Sequence, residues 1–389
     1  MTTPAHARYN EWTMSADRQR VVVAMSGGVD SSAAALLLNH AGYDVLGVTL
    51  RLYTDERVDA LGRANRCCGV EDVEDARRVC QVLGVPHYVI NAEKEFERFV
   101  VDYFVQEYRR GRTPHPCIAC NDRIKFDFLL QRALALDAPL IATGHYARRT
   151  VGPDGVAHLH KAADPRKDQS YVLFGLSQKQ LAHTLLPLGD LTKEHVRDLA
   201  RRHGLPVADK PDSQEICFIP SGDYRAFVAE RVSPRPGLIV DMDGRVLGEH
   251  RGVESFTVGQ RRGLGVASAE PRFVVAIDPE EALVVVGPRN ALEEHSLRAE
   301  HLNWVRGAPP PGPIRVSVKI RYKAQECAAV LVPRGDWAEV RFMEPQRAVT
   351  PGQAAVLYQG DELIGGGFIA SPTPPSLRGA ATQAAVPVP

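Results

Sequence analysis

Between residue 20 and roughly residue 209 the chain alternates short apolar runs with longer amphipathic stretches, a rhythm that predicts βαβ units on a parallel sheet. The first run, Val21-Val22-Val23-Ala24, is unbroken and β-branched, as suits a strand covered on both faces. Strands are predicted at 20–25, 45–50, 87–91 and 139–143, and helices at 31–41, 72–83, 96–110, 122–136 and 193–203. In the third helix Phe96, Phe99, Val100, Tyr103 and Phe104 recur at helical spacing and mark a core-facing stripe. Past Pro211 helices thin out, Gly and Pro become frequent, and alternation such as Arg315-Val316-Ser317-Val318-Lys319-Ile320-Arg321-Tyr322 predicts antiparallel strands. Ala308-Pro309-Pro310-Pro311-Gly312-Pro313 reads as a stiff connection before a last β unit. The expected organisation is a flexible extension at 1–19, an α/β domain at 20–209, a central β-rich domain at 210–296, a C-terminal β domain at 297–370 and a disordered Pro/Ala/Ser-rich tail at 371–389.

Directly behind the first strand stands Ala24-Met25-Ser26-Gly27-Gly28-Val29-Asp30-Ser31-Ser32. Two glycines let the backbone approach an anion closely, and serine hydroxyls with the free amides of a helix start can donate to phosphate oxygens. The stretch reads as a phosphate-gripping loop, with a capped Gly-Gly turn as the purely structural alternative. Asp30 would repel phosphates unless a divalent cation lay between, so it is read as a magnesium partner. No G-x4-G-K-[ST] sequence occurs, which argues against a machine built around a γ-phosphate.

Composition narrows the partners. The 47 basic side chains balance 47 acidic ones, so a nucleic-acid surface has to be a local patch, for which Arg109-Arg110-Gly111-Arg112, Arg148-Arg149, Arg166-Lys167 and Arg261-Arg262 are candidates. No apolar run is long enough to span a bilayer, and residues 1–19 lack the apolar core of an export signal. Seven unevenly spaced cysteines suit a reducing compartment, so a cytoplasmic location is expected.

Cys117-Ile118-Ala119-Cys120 follows Thr113-Pro114-His115-Pro116, read as a rigid turn that fixes the approach of the chain. The C-x2-C pair can be half of a zinc site, two ordinary thiols, or reactive groups. Cys217, in Asp212-Ser213-Gln214-Glu215-Ile216-Cys217-Phe218-Ile219, is a third candidate, and one thiol that carries sulfur with a second that resolves it is the simplest two-cysteine scheme. Cys67, Cys68, Cys80 and Cys327 read as core or incidental thiols. His145 ends the fourth predicted strand, where open α/β sheets place ligands, and Lys167-Asp168-Gln169-Ser170 reads as a capped helix start or a surface loop.

Taken together, six motifs resemble the bacterial tRNA-uridine 2-sulfurtransferases, the tRNA-specific 2-thiouridylases. They are Ser26-Gly27-Gly28-Val29-Asp30-Ser31, the stretch from Gly111 to Asn121, Ala142-Thr143-Gly144-His145-Tyr146-Ala147, Lys167-Asp168-Gln169-Ser170-Tyr171, the stretch from Asp212 to Ile219, and Thr257-Val258-Gly259-Gln260-Arg261-Arg262-Gly263-Leu264-Gly265. The resemblance implies an N-type ATP-pyrophosphatase (PP-loop) α/β domain, a small central domain and a C-terminal β-barrel. It implies ATP on Ala24, Met25, Ser26, Gly27, Gly28, Val29, Asp30 and Ser31, with Leu50 near the adenine and Gly144 beside the nucleotide. Cys120 matches the family's nucleophile and Cys217 its persulfide carrier. His115, Pro116 and Cys117 correspond to the segment that approaches the target base, and His145, Lys167, Asp168, Gln169, Arg321, Tyr322 and Gln353 to tRNA contacts. The family usually has asparagine where this chain has His115, and some members carry aspartate where it has Cys117.

The implied reaction is ATP-dependent 2-thiolation of the wobble uridine in tRNAs for lysine, glutamate and glutamine, with sulfur delivered by a donor protein. Cys117, Cys120 and Cys217 could instead hold a [4Fe–4S] cluster with one open position. Two rivals share part of the pattern: an ATP-pyrophosphatase that adds nitrogen, which has no need of Cys120 and Cys217, and a metal-stabilised tRNA-binding module without catalysis.

Overall fold

Three consecutive valines, Val21, Val22 and Val23, are fully buried and form β1 (Arg20–Ala24), the middle strand of a five-stranded parallel sheet. The structure, a computed structural model, describes residues 18–53, 69–212, 216–219, 221–268 and 270–371; Cys67, Cys68 and the expected C-terminal tail beyond Ser371 lie outside them. β2 (Asp44–Arg51) and β3 (His87–Asn91) extend the sheet on one side of β1, and β4 (Leu140–Ala142) joins on the other. The chain then makes a hairpin, β5 (Ala147–Val151) and β6 (Ala157–Lys161), and returns as β7 (Thr184–Leu185) to complete the order β3-β2-β1-β4-β7. The order reverses between β1 and β4, so the loops leaving their C-terminal ends flank a crevice suited to a ligand.

The connecting helices are α1 (Val29–His40), α2 (Val70–Leu83), α3 (residues 93–109), α4 (residues 116–134) and α5 (Lys193–Arg202). On α3 the expected stripe is core, with Phe96, Val100 and Phe104 essentially inaccessible to solvent. The sequence places the start of α4 at 122, and the structure starts it at Pro116. Proline is tolerated at the first helical position because the amide it lacks would have had no intrahelical acceptor. The C-x2-C pair therefore lies on the first turn of a helix rather than in a turn before it. From Cys120 to Phe128 the helix is π-wound, a local geometry often found at functional sites.

A short helix, α6 (Tyr224–Ala229), leads into the central domain. There β8 (Gly237–Asp241), β9 (Val246–His250), β10 (Phe273–Asp278) and β11 (Leu283–Gly287) form a sheet ordered β10-β11-β8-β9 over Ile239, Phe256, Val274 and Val284. The period-two region then closes on itself. β12 (Glu293–Trp304), β13 (Ile314–Lys319), β14 (Cys327–Arg334), β15 (Trp337–Arg347), β16 (Ala354–Gln359) and β17 (Glu362–Ile369) make a six-stranded antiparallel barrel. The long β12 allows closure, since its first half pairs with β15 and its second with β17 across a register shift. The hairpin β5–β6 from the α/β half adds to the outside of β17 through Leu159 opposite Leu363, a join that its short, polar-rich sequence does not announce. Among the described residues no helix is long and apolar enough to cross a membrane.

Candidate active site

At the end of β1 the chain turns through Met25, Ser26, Gly27 and Gly28 into α1. Gly27 has φ of +69°, and a Cβ on it would run into the backbone of Asp72 on α2, so conformation and contact both demand glycine. The Ser31 hydroxyl accepts the Ser26 amide at 3.2 Å and donates to the Gly28 carbonyl at 3.1 Å, while Ser32 donates to the same carbonyl at 2.8 Å. The loop is braced by its own serines, and the first-turn amides of α1 have no acceptor within the helix. Gly144, just past β4, forms the opposite lip: a Cβ there would sit 2.7 Å from the Ser31 amide nitrogen. Leu50 is buried near the C-terminal end of β2, on the same side of the sheet.

Asp30 already has partners within the protein. Lys193, the first residue of α5, donates to both its oxygens at 2.8 Å, and the Tyr146 hydroxyl donates to Oδ1 at 2.7 Å. The Lys193 ammonium also lies 2.7 Å from Asp212 Oδ1, and Asp212 in turn accepts Lys167 at 2.6 Å and Arg197 at 3.1 Å. Burial pushes the Asp212 carboxyl up, but the bonds from Lys167 and Lys193 prevail and hold it at about 2. Asp30 Oδ2 takes one donor and a third of the side chain stays exposed, so the carboxylate keeps room for a further partner.

The cysteine side is built differently. Cys120 is buried at the start of the π-wound segment, Cys117 is exposed one turn earlier, and Cys217 is half-buried against the same hydrophobic core as Cys120. Cys217 is placed by its neighbour Phe218, whose ring packs on Phe96, Phe104 and Phe227 at 5.7, 5.3 and 5.2 Å. His115 caps α4 with its ring 5.9 Å from Tyr171 and 5.8 Å from Tyr322. Its Nδ1 is buried without a hydrogen-bond partner among the described residues, and burial lowers its pKa to about 4. Asp122 Oδ1 is in the same position, with burial pushing that carboxyl up to about 7 against a smaller opposing pull from Arg123. Among the described residues no three His, Cys, Asp or Glu side chains are grouped to hold a metal ion. An iron–sulfur cluster on Cys117, Cys120 and Cys217 does not fit this arrangement.

The approach to Cys120 is tied to all three domains. The Thr113 amide donates to the Pro351 carbonyl and Gln353 Nε2 donates to the Thr113 carbonyl, both at 2.8 Å, while Thr113 Oγ1 donates to Thr257 Oγ1 at 3.3 Å. Of the residues expected to touch tRNA, Gln353 thus makes an internal contact. Arg321 bonds the Ala348 carbonyl at 2.8 Å and Thr350 Oγ1, Lys167 bonds Asp212, and Gln169 accepts the Tyr146 amide at 2.9 Å. Asp168 accepts Ser170 Oγ at 2.9 Å. His145 is buried with Nδ1 2.8 Å from Thr143 Oγ1, and burial, then Lys125, drives its pKa well down. Tyr322 is half-buried, and burial, then Asp168 and Cys117, raise its phenol pKa. Lys193, Lys210 and Asp122 carry much of the site's electrostatics and were not singled out from sequence; a lysine opening a helix or an aspartate inside one has no local signature.

Residues 19–221 match the family model described as tRNA methyl transferase HUP domain, 225–288 the tRNA methyl transferase PRC-barrel domain, and 294–369 the Aminomethyltransferase beta-barrel domain. The chain is 53% identical over 354 residues to the tRNA-specific 2-thiouridylase MnmA of Moorella thermoacetica, covering 90% of this chain and 99% of the relative. The chain belongs to the tRNA-specific 2-thiouridylase family. Similar proteins of that name are found in Magnetococcus marinus, 48% identical over 354 residues with 90% and 99% covered, and Heliobacterium modesticaldum, 51% identical over 358 residues with 90% and 92% covered. Within the family's span the phosphate loop, the His115–Cys120 turn and Cys217 fall in the first matched segment, and Arg321, Tyr322 and Gln353 in the last.

Proposed function

We propose that the protein is an ATP-dependent tRNA 2-sulfurtransferase acting on the wobble uridine of tRNAs for lysine, glutamate and glutamine. One observation carries the reading: a phosphate loop without γ-phosphate machinery shares a chain with Cys120 and Cys217, which pack on one hydrophobic core. The uridine C2 carbonyl is a poor electrophile without a leaving group. Attack of its oxygen on the α-phosphorus of ATP breaks the bond to pyrophosphate and turns that oxygen into part of AMP. Cys217 enters as a persulfide, loaded by a sulfur-carrying donor protein. Its terminal sulfur adds to C2, and AMP leaves with the C2–O bonding pair. The Cys120 thiolate attacks Cys217 Sγ, the S–S electrons pass to the sulfur on the base, and a Cys120–Cys217 disulfide remains. A dithiol reductant returns two electrons to reset the pair.

The residues divide this work. Ala24 to Ser31, with Gly144 and Leu50, hold ATP, and magnesium travels with its phosphates, with Asp30 as its partner on the protein. His115, neutral at physiological pH, offers an unpaired Nδ1 to the edge of the flipped base beside Tyr171 and Tyr322. Local arginines and the barrel residues Arg321, Tyr322 and Gln353 hold the anticodon arm, so binding weakens with salt despite a zero net charge. The test is to incubate the full chain with unmodified glutamate tRNA, magnesium-ATP and inorganic polysulfide, whose sulfane sulfur can load Cys217 as a persulfide, and to measure AMP and the wobble nucleoside by mass spectrometry. AMP with 2-thiouridine is expected. AMP without thiolation would favour nitrogen transfer, and tRNA binding without AMP a binding module.

A further inference from the structure

Val316, Val318 and Ile320 are buried inside the barrel, so the residues that alternate with them, Ser317, Lys319 and Arg321, lie on its outer face. There the Lys319 ammonium stands 5.7 Å from the centre of the Tyr322 ring and 6.0 Å from that of Tyr171, which belongs to the α/β half. The two tyrosine rings are 5.8 Å apart, and the His115 ring closes a triangle with them. Tyr171 is held in place by its hydroxyl, which donates to the Ala354 carbonyl at 3.0 Å. Lys319 is half-buried, yet its ammonium has no hydrogen-bond acceptor and no ion-pair partner among the described residues.

Two neighbouring cations differ from it. Lys161 Nζ lies 4.5 Å from the Tyr358 ring, and it also has the Glu326 carboxylate at 2.7 Å and the Gly360 carbonyl at 3.0 Å. Arg321, on the same face as Lys319, bonds the Ala348 carbonyl and Thr350 Oγ1. Lys319 has ring faces alone, near the limit of about 6 Å at which such an attraction counts. We infer that Lys319 is a substrate-contacting residue that takes a phosphodiester oxygen of the flipped wobble nucleotide while its base is received beside His115. A nucleotide whose base leaves the stack carries a phosphate on either side, which is the anion that this ammonium lacks. Half-buried Tyr322 offers an aromatic face, and a cation next to such a face is how unpaired RNA is commonly held. The unpartnered Nδ1 of His115 fits the same occupant, since a base edge supplies the hydrogen bond that the protein does not. With the phosphate seated, the charge of Lys319 is neutralised and the rings around His115 are left without net charge.

This role of Lys319 rests on the functional reading above, and the experiment separates the two. Binding of the full chain to unmodified glutamate tRNA is measured across a salt series, with AMP and 2-thiouridine formed from magnesium-ATP and polysulfide followed alongside. Lys319→Gln should weaken binding about tenfold, raise KM for tRNA by about the same factor with kcat little changed, and make the plot of log K against log salt shallower by about 1. Lys319→Arg, which keeps the charge, should keep the parental slope. A lysine that only supports the rings would move the melting temperature and not the slope, so an unchanged slope in Lys319→Gln overturns the inference. The phosphate is identified by replacing each linkage that flanks the wobble uridine, in turn, with a neutral methylphosphonate. At one of them the unaltered protein should lose about tenfold in affinity and Lys319→Gln nothing further. Losses that add, or no loss at either linkage, overturn the inference. Should Lys319→Gln fail to fold by thermal melt, Lys319→Met, which keeps the apolar stem, carries the same expectations. An unaltered protein that makes neither AMP nor 2-thiouridine overturns the functional reading instead.

Discussion

Around the phosphate loop the buried and half-buried charges come in matched sets: Lys193 with Asp30 and Asp212, Lys210 with Asp72 and Asp75, Lys167 with Asp212. Around Cys120 the polar atoms are left bare, with His115 Nδ1, Asp122 Oδ1 and Asn121 Oδ1 buried and without hydrogen-bond partners among the described residues. The first arrangement keeps charge in place, and the second suppresses it, since burial holds His115 neutral and favours the proton on Asp122. A triphosphate needs fixed cations and oriented amides, whereas a persulfide attacking a base needs a dry, uncharged surround in which no water competes. The same chain supplies both within one α/β domain because the loops after β1 and β4 carry the first, and the α4 start with the Cys217 segment carries the second.

The sharpest way to break that contrast is at the thiols. Cys217→Ala should lower 2-thiouridine formation by about a thousandfold or more while AMP formation persists, because adenylation draws only on the phosphate half. Cys120→Ala should do the same. Loss of AMP together with thiolation in both variants would show that the halves are not separable, and mass spectrometry of both products decides it.

A smaller effect is expected from the loop backbone. Gly27→Ala places a Cβ at φ +69° against the backbone of Asp72, and should cost about 3–4 kcal/mol of stability or displace α2 from the loop. Chemical denaturation measures the first, and a rise in KM for ATP with little change in kcat on thiolation would report the second. A variant as stable as the parent with unchanged KM would remove the contact from the argument.

The parallel sheet was legible because its strands are short apolar runs and its helices keep a 3.6-residue period, and the phosphate loop was legible because glycine and serine at that spacing have few other uses. In the residue pattern itself the last domain shows only as alternation, and the barrel was implied by the family resemblance alone, because closure depends on the length of β12 and a register shift that leave no pattern in composition. The early start of α4 was hidden by Pro114 and Pro116, which read as turn residues although the second opens the helix. The protein partner of Asp30 was hidden for a comparable reason. A carboxylate beside phosphates suggests a metal when read locally, while the cation that meets it, Lys193, lies 163 positions away.

The finest test concerns the bare side. In the folded protein Asp122 keeps its proton up to about pH 7, against 3.8 when unfolded, so its contribution to stability is complete below about pH 4 and disappears as pH rises to 7. His115 behaves oppositely. The unfolded histidine binds a proton near 6.5 and the folded one only near 4, so its contribution is complete above 6.5 and is lost as pH falls to 4. His145, also buried neutral, adds to the histidine trend. Across pH 4 to 6.5 the aspartate and the histidines therefore oppose each other and flatten the stability profile. Asp122→Asn removes one side of the balance and leaves the histidine slope exposed. Unfolding free energy of that variant should rise with pH more steeply than the parent's, by about 2 kcal/mol over the window once partial solvent access is allowed for. Urea denaturation at several pH values between 4 and 7.5 measures it, and parallel curves for the two proteins would mean that Asp122 is hydrated and that the cysteine side is wetter than its unpaired atoms imply.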